Sequence, residues 1–294
     1  MANLRDVRLR MRAIGQTLQV TKAMNLISTA KLRKGRRVLM DVEPFFTRIQ
    51  KCMFDILAGA RMEKSKFLSA HENTETSRTA IITITSDKGL AGGYNANIYR
   101  QVEMLCKKVK NPTLILVGSV GYRYFIHSPW LVMESFSFKS RLPVLDEAKE
   151  IADYIISQYQ WGIFDEVHIV YTHMYSSIKL VPRDRQILPL SPEKMQEEFE
   201  KTDGKREKLS FEYVPSKEAV FDALVPMYIK GIIYGSLVEA YVSEQSARMS
   251  AMDEATKNAE EMLAGLQIHY NRARQAGITQ EMTEIVGGAE ALSE

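Results

Sequence analysis

The sequence predicts an α/β protein in which two long terminal helices form an antiparallel coiled coil and bracket an inserted domain with a largely parallel sheet. Three observations predict this. Residues 4–56 carry one apolar stripe at alternating three- and four-residue spacing, and residues 220–280 carry another. Between them, short apolar β-rich runs alternate with amphipathic helical ones. A stripe with a seven-residue repeat asks for a partner helix, and strands alternating with helices ask for a parallel sheet.

The first stripe runs from Leu4, Val7, Met11, Ile14 and Leu18 to Ile49, Met53 and Ile56. Twelve of its sixteen positions are apolar, and the exceptions, Thr21, Asn25, Ser28 and Gly35, are small, so one continuous helix is expected over 1–66. Only Gly15, Gly35 and Pro44 interrupt it, and a proline inside a helix invites a kink. At 1.5 Å per residue such a helix reaches roughly 80 Å, more than a compact domain needs.

Composition changes after Lys66 through the polar stretch SAHENTETSR. The inserted domain is placed at 77–210. TAIITIT reads as its first strand, followed by a Gly-rich turn, SDKGLAGGYN, and a helix over Ala96 to Val109. TLILVGS, a short helix near Gly121 to Ile126, and WLVMESF come next. Pro143 to Tyr159 is amphipathic, and EVHIVYTHM and KLVPRDRQILPL close the domain as strands. This order predicts a Rossmann-like sheet covered on both faces.

From Ser216 the helical pattern returns and fills 216–290. A three/four walk from Val220 passes Leu224, Met227, Gly231, Tyr234, Val238, Tyr241, Gln245, Arg248, Met252, Ala255, Ala259, Met262, Leu266, His269, Ala273, Ala276 and Gln280. Its apolar start, Ala223 to Val238, contains Pro226 and Lys230 and is shorter than the ~20 residues of a membrane span, so a buried helix is expected.

Charge is balanced overall, 39 Lys and Arg against 36 Asp and Glu, which excludes a disordered chain and a bulk polyanion binder. It is uneven locally. Residues 1–40 hold ten basic residues against one acid, Asp6, which predicts an acidic partner for that end. The run KLRKGRR lacks the interleaved aromatics of a nucleic-acid surface, so no nucleic acid is expected. Cys52 and Cys106 stand alone, without CxxC, and fit a reducing compartment. The N-terminus has no apolar signal core.

Catalytic patterns are absent. The loop Ser86-Asp87-Lys88-Gly89-Leu90-Ala91-Gly92-Gly93 sits where a phosphate would bind, but it has neither GxGxxG nor GK[ST], so a tight turn or a contact with a neighbour is expected. The five histidines do not cluster at metal spacing; His168 and His173, five apart on one strand, point to opposite faces. Asp165 and Glu166 precede a strand and read as capping or solvated acids. There is no GxSxG and no HExxH. No cofactor and no metal are expected. A nucleotide-binding enzyme with helical arms and a coiled-coil scaffold remain as alternatives on the residues alone.

The stretch Ile278-Thr279-Gln280-Glu281-Met282-Thr283-Glu284-Ile285-Val286-Gly287-Gly288-Ala289 closely resembles the signature of rotary ATP synthase gamma subunits. Val20-Thr21-Lys22-Ala23-Met24 with Ala30-Lys31-Leu32-Arg33-Lys34, the loop at Ser86 to Asn95, and Ser243 to Met249 resemble the same family. The resemblance implies a non-catalytic shaft inside a ring of alternating alpha and beta subunits. The inserted domain, with the epsilon subunit, would stand on the membrane ring of c subunits, which ion flow turns. It implies that Met24, with Lys22, Lys31, Arg33 and Lys34, faces an acidic lever of the beta subunit. It also implies that Arg248, Gln275, Thr279, Glu281, Glu284, Gly288 and Ala289 couple the shaft to its partners, together with Ser86, Asp87, Lys88 and Gly89. It further implies one copy per complex rather than a homo-oligomer, peripheral on the cytoplasmic side of a bacterial plasma membrane. Family likeness from Met1 favours a bacterial source. The chloroplast-type insertion with paired cysteines is absent, so no thiol switch is expected. Pro226 is unusual for the family's torque-bearing helix.

Overall fold

The computed structural model describes residues 4–58, 65, 67–68, 77–138, 141–177, 179–192 and 213–293. Helix α1, Leu4–Ala58, is continuous through Pro44. None of the sixteen stripe positions between Leu4 and Ile56 is exposed, which is what a single buried face requires. Pro44 lies on the solvent side of the helix. The last helix, Lys217–Ser293, is likewise continuous through Pro226, so neither proline ends its helix.

Between them lie β1 (Thr79–Ile84), α2 (Tyr94–Cys106), β2 (Pro112–Val117), α3 (Ser119–Phe125), β3 (Leu131–Phe136), α4 (Leu145–Gln160), β4 (Glu166–Met174) and β5 (Leu180–Leu188); the last helix is α5. The sheet order is β3-β2-β1-β4-β5. β1 pairs in parallel with β2 and β4, and β2 with β3, whereas β5 runs antiparallel to β4. The connection between β4 and β5 covers only residues 175–179, too short for the crossover a parallel pair needs. Pro182 has no N–H for a ladder and is accommodated because β5 is an edge strand.

All six residues of β1 are buried, so this central strand is covered on both faces and reads as an unbroken apolar run rather than an alternating one. On one face Ile81, Leu114, Leu116 and Val170 pack with Ile98, Val102 and Leu105 of α2 and with Phe125 of α3. Coverage fails at the other edge: Leu131 of β3 is 64% exposed, since no strand among the described residues pairs beyond it. α2 begins two residues before the predicted Ala96 and stops at Cys106, where residues 107–110 turn toward Asn111 with its positive φ of 41°. At the start of α4, Glu147 accepts the Val144 N–H at 3.0 Å and holds Arg141 Nη2 at 2.8 Å.

The chain divides into two compact units, residues 1–28 with 248–294, and residues 29–247. In the first unit the helix ends pair antiparallel, because lower-numbered residues of α1 meet higher-numbered residues of α5. Asn25 Nδ2 donates to the Met249 carbonyl at 3.1 Å, Thr256 Oγ1 to Thr21 Oγ1 at 2.8 Å, and Arg8 Nη2 to the Tyr270 hydroxyl at 2.6 Å. Lys22 and Glu260 add an ion pair at 2.7 Å; both are about half exposed, so its contribution is small. Thr21 and Asn25, two of the small exceptions in the α1 stripe, thus supply hydrogen bonds to the pairing.

The α5 stripe differs from the sequence reading at Met227, which is 46% exposed, and again further along the helix. Beyond Ala259 the covered positions are Leu263, Gly265, Leu266, Tyr270, Ala273 and Gly277, whereas the stripe positions Met262, His269, Ala276 and Gln280 face solvent. Both Met262 and Leu263 are apolar, so periodicity alone leaves open whether the three- or the four-residue step comes first after Ala259.

In the second unit α5 is buried on almost every side: Val225, Ile229, Ile233, Val238 and Val242 are all at or below 1% exposure. α5 is long and apolar enough to cross a membrane by length and composition, and its apolar part is packed inside this unit. Its buried serines reach β4 and the turn after it: Ser243 Oγ donates to the Thr172 carbonyl at 2.9 Å, and Ser246 Oγ to the Ser177 carbonyl at 3.1 Å. Cys106 is buried among apolar groups that push its thiol up to about 12, while Cys52 on α1 is exposed. A thiol reagent is therefore expected to titrate one cysteine per folded chain and two after denaturation; equal native reactivity would contradict the burial of Cys106.

Candidate functional site

A parallel sheet of this order carries ligands, when it does, in the crevice beyond the carboxyl ends of its strands. Here Thr85, Asp87, Ser119 and Ser137 converge at that edge, and they satisfy one another. Asp87 Oδ1 accepts the Ser119 N–H at 2.9 Å and the Ser137 hydroxyl at 3.1 Å, so the chain's own carboxylate sits at the start of α3. Ser86 is held by Asn95, whose Nδ2 donates to Ser86 Oγ at 2.7 Å, and Ser86 Oγ donates to the Lys88 carbonyl at 2.8 Å. Leu237, Ala240 and Tyr241 of α5 cover the crevice, leaving about 50 Å³. Nucleotide-sized ligands occupy several hundred Å³. Lys88 and Gly89 are exposed at the tip of this self-braced turn, while Ser86 is buried and Asp87 half-buried.

The histidines are dispersed. His168 Nε2 lies 3.8 Å from Glu166, and His173 pairs through Nδ1 with Glu239 on α5. Asp165, expected as a cap or solvated acid, is buried and its Oδ2 accepts the Arg78 N–H at 2.8 Å. Among the described residues no group of three His, Cys, Asp or Glu side chains is placed to hold a metal ion.

The remaining predicted residues lie on helix surfaces. In the first unit Lys22 is exposed and Met24 half-buried on α1. Gln275, Thr279, Glu281, Glu284, Gly288 and Ala289 are all exposed on α5. Thr279 Oγ1 donates to the Gln275 carbonyl at 3.0 Å within its own helix. Arg248 differs from these, being buried. In the second unit Arg33 and Lys34 are exposed and Lys31 half-buried, while Arg36 donates to Ser177 Oγ at 3.0 Å. These residues form no convergent catalytic constellation; apart from Arg248 they lie on helix surfaces, most of them exposed.

The profile of the ATP synthase family matches residues 3–292. The ATP synthase gamma chain of Acetivibrio thermocellus is 42% identical over 294 residues, covering 99% of this chain and all of the relative. The chain belongs to the ATP synthase gamma-chain family. The gamma chain of Ruminiclostridium cellulolyticum is 43% identical over 291 residues, 99% of each chain, and the sodium-ion-specific gamma chain of Acetobacterium woodii is 36% identical over 302 aligned positions, 99% of each. Chains of two solved ATP synthase structures share the fold. A chain of the Euglena gracilis mitochondrial ATP synthase aligns with a TM-score of 0.67 at 16% identity, covering 98% of this chain and 94% of that one. A chain of the Tetrahymena thermophila central stalk and c-ring gives 0.58 at 24% identity over 80% and 99%.

Sequence reasoning missed one polar contact of this gamma-family chain. Glu239 receives the Met174 N–H at 3.3 Å as well as His173, and burial pushes its carboxyl above the usual carboxylate range, against the opposing pull of His173 and Arg183. Nothing marks the pair in sequence, because 65 residues separate Met174 from Glu239. A carboxyl raised on folding keeps a proton that the unfolded chain loses. Its stabilising contribution is therefore present below the ordinary carboxylate range and is lost as pH rises through the raised value. The melting temperature of the parent relative to Glu239→Gln is expected to fall with rising pH; a pH-independent difference would contradict the assignment.

Proposed function

We propose that this chain is the central rotor shaft of a rotary ATP synthase. It couples ion-driven rotation of the membrane c-ring to conformational changes of the catalytic beta subunits in the alpha/beta ring. The observation that carries the reading is the full-length relationship to ATP synthase gamma chains, which spans both helices and the inserted sheet. The shaft has no active site of its own. Torque transfer needs stiff, paired helices and surface contacts rather than converging catalytic groups, and the filled crevice beyond β1 and β2 supports that division of labour.

Three segments share the work: the helix within 1–66, the sheet domain within 77–210 and the helix within 216–290. Lys22, Met24, Lys31, Arg33 and Lys34 meet acidic surface of the beta subunits. Arg248, Gln275, Thr279, Glu281, Glu284, Gly288 and Ala289 couple the shaft to the ring. Ser86, Asp87, Lys88 and Gly89 form a turn that braces the sheet domain and touches a neighbour. Alpha, beta and epsilon subunits and the c-ring are its partners, and the chain sits peripherally on the cytoplasmic face of a bacterial plasma membrane through them. The test is assembly with matching alpha and beta subunits. Co-elution at one copy per three beta subunits with raised ATP turnover is expected; separate elution with unchanged turnover overturns the reading.

A further inference from the structure

Glycine is less favourable than alanine inside a helix, yet α1 and α5 each hold a glycine at a buried position of the second unit. At Gly35 of α1 a Cβ would lie 2.7 Å from Val242 Cγ2 and 3.3 Å from Tyr241 Cδ1. At Gly231 of α5 it would lie 2.9 Å from Phe46 Cγ, with the ring's Cδ1 and Cε1 nearer still. Gly235, one turn further along α5, has nothing within 4 Å of that position, so close approach belongs to particular glycines rather than to helical glycine in general.

The two contacts are reciprocal. At one, α5 inserts a bulky residue into a gap on α1; at the other, α1 inserts a ring into a gap on α5. Gly35 and Phe46 are eleven residues apart on α1, and Gly231 and Val242 are eleven apart on α5. Eleven residues make about three turns, so both points on each helix face the partner and lie roughly 16 Å apart. Either contact alone would tolerate slippage. Moving α5 by one turn in one direction seats Phe46 over Gly235 but sets Val242 against Leu39. Movement the other way sets Phe46 against Met227. Only the observed register satisfies both points.

We propose that Gly35 and Gly231 are positioning residues which, with Val242 and Phe46, form a two-point lock fixing the axial register of α1 against α5 in the second unit. Its purpose rests on the rotor reading: a shaft whose helices slid past each other under load would dissipate torque before delivering it. The geometry of the lock does not depend on that reading.

The lock is tested first in the full-length chain. Spin labels at Met40→Cys and Ala223→Cys, both exposed positions of this unit, in a Cys52→Ser background report the axial offset as a distance distribution. Gly231→Ala and Gly35→Ala are expected to shift or broaden it by several ångström, up to about one helical turn of 5.4 Å, and to lower the melting temperature. Helix propensity alone predicts the opposite sign, and Gly235→Ala is the control for it, with a melting temperature equal to or above the parent's. Removing the ring in Gly231→Ala/Phe46→Ala is expected to recover part of the loss, and to recover folding should the single variant fail to fold. An unchanged distance with equal or higher stability in Gly231→Ala, or a double variant no better than the single, overturns the lock. In the assembled complex the alanine variants are expected to keep ATP hydrolysis while ATP-driven ion pumping falls at least about three-fold. Pumping that stays in proportion to hydrolysis overturns the torque role. A parent chain that fails to assemble while the distance shifts are seen sinks the rotor reading and leaves the lock standing.

Discussion

Gly118→Ala is expected to be the most damaging single-methyl change in the sheet domain. Gly118 leads β2 into α3 with φ at 99°, a backbone conformation that a side chain makes costly. A Cβ there would also lie 2.8 Å from both the carbonyl carbon and Oγ1 of Thr85, nearer still to its carbonyl oxygen. Neither partner can retreat. Thr85 Oγ1 donates to the Val117 carbonyl at 2.9 Å and accepts the Gly121 N–H at 3.1 Å, and the Gly118 N–H donates to the Phe136 carbonyl at 2.9 Å. Backbone strain costs about 1–3 kcal/mol and overpacking about as much again. The sum, roughly 3 kcal/mol or more, is a large share of the ~5–15 kcal/mol that holds a typical domain together. Urea unfolding followed by circular dichroism checks it; a loss below about 1 kcal/mol would show that the β2–α3 turn has room to relax.

The second large effect is expected in assembly and not in stability. Ile278, Met282, Ile285 and Val286 recur at helical spacing on α5, and each is between 47% and 71% exposed. Within the described residues all four remain exposed. Burying an apolar side chain contributes about 1.5–3 kcal/mol, and a solvent-facing stripe of four gains that only against a partner. Replacing all four with serine is expected to leave the melting temperature within a few degrees of the parent. Affinity for the alpha/beta ring is expected to weaken at least ten-fold, about 1.4 kcal/mol or more. Titrating the variant into alpha and beta subunits while following ATP turnover measures it. Parent-like affinity would place the contact surface elsewhere.

Much of the architecture is legible in sequence because it rests on local rules. The stripe from Leu4 to Ile56 requires no knowledge of the partner to be recognised, and TAIITI and TLILV are β-branched runs bounded by turn residues. Register is another matter. The slip after Ala259 arose where Met262 and Leu263 satisfy the same pattern, and only packing decides between them. The exposure of β3 follows from strand order, which is a property of the whole sheet. The Glu239–His173 pair and the Gly35 and Gly231 contacts join residues far apart in the chain, so their local surroundings give no sign of them. Lys22 and Arg33, off the α1 stripe, are exposed, while Arg248, which the three/four walk places on the α5 stripe, lies on the inner side of its helix.

A shaft that carries torque must turn, and its rotation can be watched directly. In a Cys52→Ser background, a bead attached through a cysteine introduced at the exposed Lys108 of the sheet domain would report on the shaft while the alpha/beta ring is fixed to glass. Addition of ATP is expected to drive unidirectional rotation in three steps per turn, one for each beta subunit. Sustained ATP hydrolysis by the same immobilised complexes with the bead standing still would contradict the account.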